Sequence, residues 1–325
     1  MRALLAALAI AIGATAATAQ TAQTAPAGWR AEWPATDFTR SSVDFSEILS
    51  GGPPKDGIPA IDAPAFQPLA ELAQRPADRE PVISIELGGV ARAYPVTILM
   101  WHEIVNDTLA GTPIAVTYCP LCNSGIVFDR RVAGEATTFG TTGKLRNSDL
   151  VMYDRATQSW WQQFEGRAII GAHLGTELAR IPSRFESFAE FAARHPGGEV
   201  LIPPLRLSRS YGVNPYEGYD SLRQPFLYDG GYDGPGDALM RVVAIEGLPD
   251  AYSLDYVRAH APFDVAGYRV DWREGQASAL DTRSIAEGRE VGTVSVTQGG
   301  ATALYHVPFA FAWAAFNPGA TIHHD

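Results

Sequence analysis

Cysteine is scarce in this sequence, with two residues among 325, and both lie in TYCPLCNSG as Cys119 and Cys122. Two cysteines are too few for the several disulfide bonds that hold small secreted domains together. A chain of roughly 300 residues also buries enough apolar surface to fold without such bonds. The pair therefore indicates a local site rather than a disulfide framework.

Basic residues are also few, since Lys and Arg total 25 against 36 Asp and Glu, for a formal net charge of −11. Proteins that bind nucleic acids need a clustered basic face, which this balance does not provide. The same balance argues against docking on anionic lipid. We therefore expect no nucleic-acid partner.

Long apolar runs are missing after the N-terminus. The nearest later run, VPFAFAWAAF, has prolines near both ends and falls short of the roughly 18 residues that a membrane-spanning helix needs. The early apolar run after Arg2 ends in Ala17-Thr18-Ala19, the small-residue pattern that signal peptidase cuts. We expect a signal peptide cleaved near Ala19, and a mature protein that is periplasmic or secreted and has no membrane span.

Composition divides the remainder of the chain into segments. The region after the signal peptide is rich in Ala, Thr and Pro, and GGPPKDGIPAIDAPAF is rich in Pro and Gly with spaced apolar residues. The predicted organisation is a signal peptide over 1–19, a flexible leader over 20–45, an ordered strap over 46–81, a first half over 82–202, a connecting segment over 203–239 and a second half over 240–322.

Short apolar runs with a period of two predict strands through most of the first half. These runs are VISIEL (82–87), PIAVTYC (113–119), GIVFDR (125–130), LVMYDR (150–155) and SWWQQF (159–164). Two helices are predicted, one beginning at Pro95 and continuing through TILMWHEI, the other at ESFAEFAARH (186–195).

The chain also contains an apparent internal repeat. ARAYPVTILMWHE (91–103) aligns with PDAYSLDYVRAHA (249–261), and two further stretches match in the same order. We therefore predict an α+β fold, rich in strands, built from two related, duplicated halves with mostly antiparallel sheets and a few helices. Asp271 and Glu274 stand opposite the cysteines in the second copy, so the thiols are an addition to the scaffold.

Three interpretations of the cysteine pair stay open. A local disulfide would close a small ring and add little stability. Thiol–disulfide exchange needs an exposed thiol with a lowered pKa, usually at a helix N-terminus, whereas Asn123-Ser124-Gly125 and a strand follow this pair. A metal site fits a strand followed by C-P-x-C and small residues, because such a turn presents two thiolates to one ion. Soft thiolates favour copper, with zinc as the second choice.

His102 is the predicted third ligand, because its helix precedes the cysteine strand and adjacent elements usually pack together. His260 occupies the equivalent position in the second copy, where no thiols occur, so a structural role for His102 stays open. The same two cysteines are the catalytic residues if the site is redox-active. Residues expected to support the site or line its pocket are Glu103, Asn106, Asp107, Tyr118, Arg130, Asn147, Asp149, Asp154, Arg155, Trp161 and Gln162.

The tryptophan pair Trp160-Trp161 has two interpretations. It either covers the core of a hairpin or forms an aromatic wall beside the cysteine loop, with Arg155 and Gln162 as polar groups.

Several of these stretches together resemble one family. WHEIVND, TYCPLCNSGIVFDR, FGTTGKLRNSDLVMYDRATQSWWQQFEG and KDGIPAID are similar to the domain-of-unknown-function family 3179 of exported bacterial and archaeal proteins, over about Ser46 to Thr321. Residues that fall on the family pattern are His102, Glu103, Asn106, Asp107, Tyr118, Cys119, Cys122, Arg130, Asn147, Asp149, Tyr153, Asp154, Arg155 and Gln162. Trp160-Trp161 is a mild departure, because the pattern commonly has a single aromatic residue there. The resemblance implies export and the extent of the domain, but no reaction.

The sequence thus predicts an exported protein that binds a thiophilic metal, copper in preference to zinc, for metal handling or redox chemistry. One alternative is a metal-free thiol–disulfide oxidoreductase that acts on the thiols of exported proteins. The other is a module for a small ligand in which the cysteines form a structural disulfide.

Overall fold

The structure, a computed structural model, describes residues 24–206 and 209–325. The predicted signal peptide, residues 1–19, lies outside the described residues. The α-helices in the described ranges are α1 Ala27–Glu32, α2 Val96–His102, α3 Phe188–Arg194, α4 Leu254–His260 and α5 Ala310–Phe316. None of these helices has the length and apolar character needed to cross a membrane.

Short strands make up most of the regular structure. In chain order they are β1 Ile48–Ser50, β2 Ala65–Pro68, β3 Pro81–Leu87, β4 Val90–Pro95, β5 Ile104–Leu109, β6 Thr112–Cys119, β7 Ser124–Asp129, β8 Arg131–Val132, β9 Glu135–Ala136, β10 Phe139–Arg146, β11 Asp149–Asp154, β12 Trp160–Gln162, β13 Arg167–Ile170, β14 Arg180–Ile181, β15 Arg184–Ser187, β16 Glu199–Ile202, β17 Val242–Ile245, β18 Ala251–Ser253, β19 Phe263–Val265, β20 Tyr268–Arg273, β21 Thr293–Gln298, β22 Ala301–Thr302, β23 Tyr305–His306 and β24 Ile322–His323.

Five small sheets are arranged as a five-bladed, propeller-like ring. Their strand orders are β1-β10-β11-β12-β13, β14-β7-β6-β5, β15-β3-β4-β16-β2, β23-β17-β18-β24 and β19-β20-β21-β22, and β8 pairs with β9 separately. Neighbouring strands are antiparallel except for the pairs β4–β16 and β18–β24, which are parallel. The predicted strand-rich, mostly antiparallel fold with a few helices is confirmed, whereas the ring arrangement was not foreseen.

The predicted strands and helices of the first half are confirmed close to their predicted positions. Pro95 immediately precedes α2, where a fixed φ suits the first turn and no amide hydrogen bond is lost. The helix stops at Glu103, whose φ of 57° lies in the left-handed region and turns the chain into β5. The tight return from α2 into β5 brings the helix against β6, the strand that carries the first cysteine.

Two sheets share one connectivity. In each, a hairpin (β3–β4 or β17–β18) leads into a helix, a later strand pairs antiparallel with the first hairpin strand, and the last strand pairs parallel with the second. The three-stranded meanders β5-β6-β7 and β19-β20-β21 follow the two helices in the same order.

The described part of the predicted flexible leader, 20–45, packs against the fold. Trp33 is fully buried, with its ring centroid 5.3 Å from that of Trp160 and 4.7 Å from that of Tyr153. Phe38 and Phe45 are buried in the same cluster. Aromatic side chains bury large apolar areas, so these residues stabilise a packed N-terminal segment despite its Ala- and Pro-rich composition.

The first part of the strap, 46–81, lies along the sheet that contains β10. β1 pairs with β10, and a Cβ atom added at Gly143 would lie 1.9 Å from the carbonyl oxygen of Pro53. This close approach of two backbones requires glycine at position 143. The strap is thereby fixed beside the hairpin that carries Asp149.

Candidate metal centre

The two cysteines are placed by a tight turn between β6 and β7. Cys119 ends β6, residues Pro120–Cys122 form one turn of 3₁₀ helix, and Asn123 adopts a left-handed conformation with φ of 49° before β7 begins. Proline fixes the start of the turn, and asparagine tolerates the left-handed backbone. Asn123 Nδ2 also donates to the carbonyl of Val307 (2.7 Å), which anchors the turn from the opposite side.

A second tight turn brings an acidic residue to the thiols. Arg146 pairs with Asp149 across the β10–β11 hairpin, so Asn147 and Ser148 form a two-residue loop, with φ of 52° and 62°. Two positive φ values are the mark of a type I′ turn, which suits the twist of a hairpin. The carbonyl oxygens of this loop face the sulfur atoms: Cys119 Sγ lies 3.7 Å from the oxygen of Ser148, and Cys122 Sγ lies 4.0 Å from that of Asn147.

The side chains of Cys119, Cys122 and Asp149 converge on one point. Their sulfur atoms and one carboxylate oxygen lie within 4.8 Å of one another, and all three side chains are buried. In a tetrahedral zinc site the metal–sulfur bonds are about 2.3 Å, which places two sulfur atoms about 3.8 Å apart. The three donors therefore need to approach one another by about 1 Å or less to hold such an ion.

The carboxylate of Asp149 is held by one oxygen only. Oδ2 accepts hydrogen bonds from Gln162 Nε2 (2.6 Å) and from the amide of Phe164 (2.9 Å). Oδ1 is buried and has no hydrogen-bond partner. A buried acceptor without a partner is costly, so an unpaired oxygen on a carboxylate that lies beside two thiols needs an explanation. A cation bound by this oxygen and the two sulfur atoms would provide one.

Burial determines the protonation states of the two thiols and of the two buried carboxyl groups, Asp149 and Glu103. It raises the pKa of Asp149 to about 7 and, together with the charge of Asp149, that of Glu103 to about 8. Burial likewise raises the pKa of the Cys119 thiol, and that of Cys122 well above its usual range. Near neutral pH the thiols are therefore protonated without a metal, and an ion must displace their protons to bind.

These shifts predict how the stability of the reduced, metal-free protein depends on pH. The pKa values of Asp149 and Glu103 are raised from 3.8 and 4.5 to about 7 and about 8, so the folded protein binds more protons than the unfolded chain between these limits. The free energy of unfolding should then fall by several kcal/mol, up to roughly 6 kcal/mol, from pH 5 to pH 8. Urea denaturation at several pH values measures this slope, and Glu103→Gln should flatten it. A stability that rises with pH over this interval would contradict the assignment.

The structure does not place His102, the predicted third ligand, in the cluster of Cys119, Cys122 and Asp149. His102 Nδ1 lies 2.7 Å from the carbonyl oxygen of Pro59, and Nε2 lies 2.6 Å from the hydroxyl of Tyr211. Both ring nitrogens are thus engaged in linking α2 to the strap and to the connecting segment. Asp149, expected only as a supporting residue, takes the third position beside Cys119 and Cys122.

Four of the other predicted residues lie around this centre. Gln162 orients Asp149, and the carbonyl of Asn147 faces Cys122. Tyr118 donates its hydroxyl to Asn123 Oδ1 (3.3 Å) within the cysteine turn. Glu103 contributes a second buried carboxyl group, whose pKa responds to the charge of Asp149.

The remaining predicted residues have hydrogen-bond partners other than the thiols and Asp149. They are Asn106, Asp107, Arg130, Asp154, Arg155 and Trp161. Arg155 Nη1 and Asn106 Nδ2 both donate to Asp62 Oδ1, at 2.6 and 2.7 Å, which ties the strap to the sheets. Trp161 donates its indole N–H to Asp154 (3.0 Å). These groups support the fold around the centre.

Features of the site weigh against the two alternative functions. Both cysteines are free, buried thiols with raised pKa values, whereas thiol–disulfide exchange needs an accessible thiol with a lowered pKa. Trp160 and Trp161 are fully buried in two different core clusters, so neither offers an open aromatic face to a ligand.

The connecting segment, 203–239, contributes to the site in a way that the sequence patterns did not indicate. Tyr219 donates its hydroxyl to the carbonyl of Leu121 (2.9 Å) in the cysteine turn, and Ser148 Oγ donates to the carbonyl of Phe226 (2.6 Å). Aromatic residues recur through this segment, and that recurrence was the available signal that it packs on the site.

Comparisons with known proteins identify one family. The model of a family described as a protein of unknown function, DUF3179, matches residues 55–320, which is most of the chain. No curated protein and no solved structure matches the chain significantly.

Proposed function

The chain belongs to the DUF3179 family of proteins of unknown function, whose members supply no reaction, and from the site's geometry we propose that Cys119, Cys122 and Asp149 bind a divalent, thiophilic metal ion. The observation that carries this proposal is the buried carboxylate of Asp149 beside two thiols, with one oxygen, Oδ1, that has no hydrogen-bond partner. Its other oxygen is already held by Gln162 and Phe164, so the free oxygen is fixed in position for a ligand.

The donor set favours zinc over copper, which reverses the preference drawn from the cysteine motif. Cu(I) prefers soft sulfur donors, whereas a carboxylate is a hard donor that Zn(II) accepts readily alongside thiolates. Mg(II) and Ca(II) are disfavoured, because they require oxygen ligands. Two thiolates and one carboxylate with a zinc ion carry a net charge of −1, so the ion compensates most of the charge that burial would otherwise penalise.

Three protein donors leave the fourth tetrahedral position of the ion for water or another small ligand. Zinc sites with three protein ligands and one exchangeable ligand are the pattern found in catalysis, whereas structural sites usually have four. The buried carboxyl group of Glu103 is the additional acid–base group of this region. The role proposed here is stable retention of one ion in a buried site that keeps one exchangeable position.

Cobalt substitution tests the proposal. The reduced, chelator-treated protein is titrated with Co(II) under anaerobic conditions. We expect the intense visible absorption of tetrahedral Co(II) and a sulfur-to-cobalt charge-transfer band, both saturating at one equivalent and abolished by one equivalent of zinc. A weak octahedral spectrum, or absorption that does not saturate, would overturn the assignment.

Export and duplication complete the proposal. The apolar N-terminal run with Ala17-Thr18-Ala19 supports export of the mature protein to the periplasm or medium. The shared strand order of two sheets, together with two corresponding meanders, supports descent of residues 82–202 and 240–322 from one duplicated unit. Only the first copy carries the thiols, so metal binding would have arisen, or been kept, in one half.

A further inference from the structure

The buried centre needs a route by which an ion can enter. Cys119, Cys122 and Asp149 are all buried, and donors enclosed by the fold cannot exchange an ion unless some element moves. Residues 222–236, called the flap below, contact through Phe226 the Asn147–Ser148 turn, whose carbonyl oxygens face the two sulfur atoms.

The two ends of the flap are fixed. Immediately before it, the buried carboxylate of Asp220 accepts from Arg241 and from Arg289, each at 2.9 Å. Immediately after it, Ala238 accepts a backbone hydrogen bond from Phe311 (3.0 Å). A loop whose ends are held this firmly can move between them without disturbing the sheets.

The flap itself is weakly held. It has no helix or strand, and it is rich in residues that disfavour regular structure: Pro225, Gly230, Gly231, Gly234, Pro235 and Gly236. Its apolar side chains stay largely in solvent, with Leu222, Phe226 and Leu227 exposed by 40%, 51% and 41%. Because little apolar area is buried, little free energy opposes local opening.

Few contacts join the flap to the site, and Ser148 is at their centre. Ser148 Oγ donates to the carbonyl of Phe226 (2.6 Å), while the carbonyl of the same serine lies 3.7 Å from Cys119 Sγ. The ring of Phe226 packs 5.0 Å from that of Tyr219, and the ring of Tyr228 packs 4.9 Å from that of Phe311. Ser148 therefore touches both a thiol and the flap.

We propose that the flap opens to give access to the two thiols and admits and releases the metal ion, with the Ser148–Phe226 hydrogen bond and the Tyr219–Phe226 ring contact as its latch. The role in metal exchange rests on the proposed function, whereas the access to the thiols does not.

Thiol labelling of the metal-free, reduced mature protein tests the opening. The reagent is 5,5′-dithiobis(2-nitrobenzoate), and the variants Ser148→Ala and Phe226→Ala each remove one part of the latch. Loss of one hydrogen bond or one ring contact should raise the labelling rate roughly three- to tenfold. Phe226→Tyr keeps the ring contact and should label like the unaltered protein. Leu205→Ala, a fully exposed apolar position outside the flap, is the matched control.

The urea dependence of labelling separates local opening from global unfolding. Opening of the flap exposes little new surface, so the labelling rate of the unaltered protein should rise only weakly with urea below the unfolding transition. A labelling rate that depends on urea as steeply as global unfolding does would overturn the proposal that the flap opens locally. Unchanged labelling rates in both latch variants would overturn it as well.

Zinc kinetics in the same variants then test metal exchange. We expect the association rate and the chelator-driven dissociation rate to rise together, roughly three- to tenfold, while the Kd stays within about twofold, because opening changes access rather than the donors. Faster labelling with no zinc bound by any variant would support opening of the flap and refute the metal function. Stoichiometric zinc binding with unchanged zinc association and dissociation rates in both variants would support the metal function and refute metal exchange through the flap.

Discussion

Cys119→Ser and Cys122→Ser will each weaken zinc binding by more than about a hundredfold and remove the sulfur-to-cobalt charge-transfer intensity of one thiolate. The reason is the number of donors. Structural zinc sites bind with about 10–16 kcal/mol in total, so one donor among three or four contributes roughly 3 kcal/mol or more, which is over a hundredfold in Kd. Competition with a chelator of known affinity measures the loss. The double variant should retain no stoichiometric metal.

The carboxylate has its own matched pair of variants. Asp149→Asn removes the charge but preserves the shape, and by the same reasoning it should weaken zinc binding by about a hundredfold. Asp154→Asn makes the same chemical change at the other end of β11, where the carboxylate accepts from Trp161 and Thr157. Zinc affinity should be unaffected by that change. His102→Gln should also keep one equivalent of zinc, because both ring nitrogens of His102 have other partners.

The contrary results are equally specific. Zinc that persists at one equivalent in the double cysteine variant would place the ion elsewhere and end the proposal. A loss of zinc in His102→Gln as large as that in Cys119→Ser would instead restore the histidine as a ligand, and would require α2 to turn its ring away from Pro59 when metal binds.

The local elements were predictable because their signals are local. VISIEL alternates and forms β3, and Pro95 lies just before α2, so period and turn chemistry were enough. The turn at Pro120–Cys122 followed from Pro and the small residues after it. The five-bladed ring was not predictable in this way, because the packing of one sheet against another depends on contacts that no short window contains.

The third member of the buried cluster shows what adjacency in the chain does not determine. His102 was chosen because its helix adjoins the cysteine strand in the chain, yet adjacency fixes the position of a backbone and not the direction of a side chain. Asp149 lies 27 positions after Cys122, and only the type I′ turn at Asn147 and Ser148 directs it to the sulfur atoms. The packing of residues 24–45 was not foreseen for a related reason. Composition predicted mobility, whereas Trp33 packs against Trp160, more than a hundred positions away.

Zinc affinity should rise about a hundred-thousandfold between pH 6 and pH 8. Burial keeps both thiols protonated through this interval, since the pKa of Cys119 is raised and that of Cys122 lies well above its usual range. Zinc binds the thiolates, so each bound ion releases two protons and the apparent affinity gains about two powers of ten per pH unit. Below about pH 7 the slope should steepen further, because Asp149, with a pKa of about 7, then gives up a proton as well.

Calorimetric titration with zinc in buffers of different ionisation enthalpy counts the released protons directly. Near pH 7.5 we expect about two protons per ion in the unaltered protein and about one in Cys119→Ser at zinc concentrations high enough to saturate it. Asp149→Asn should lose the steeper slope below pH 7, whereas Asp154→Asn should keep it. Adventitious zinc on surface histidines or carboxylates would release far fewer protons at pH 7.5, because those groups are mostly deprotonated already. An affinity that is independent of pH across this interval would therefore exclude the thiols as ligands, even if one equivalent of zinc is bound.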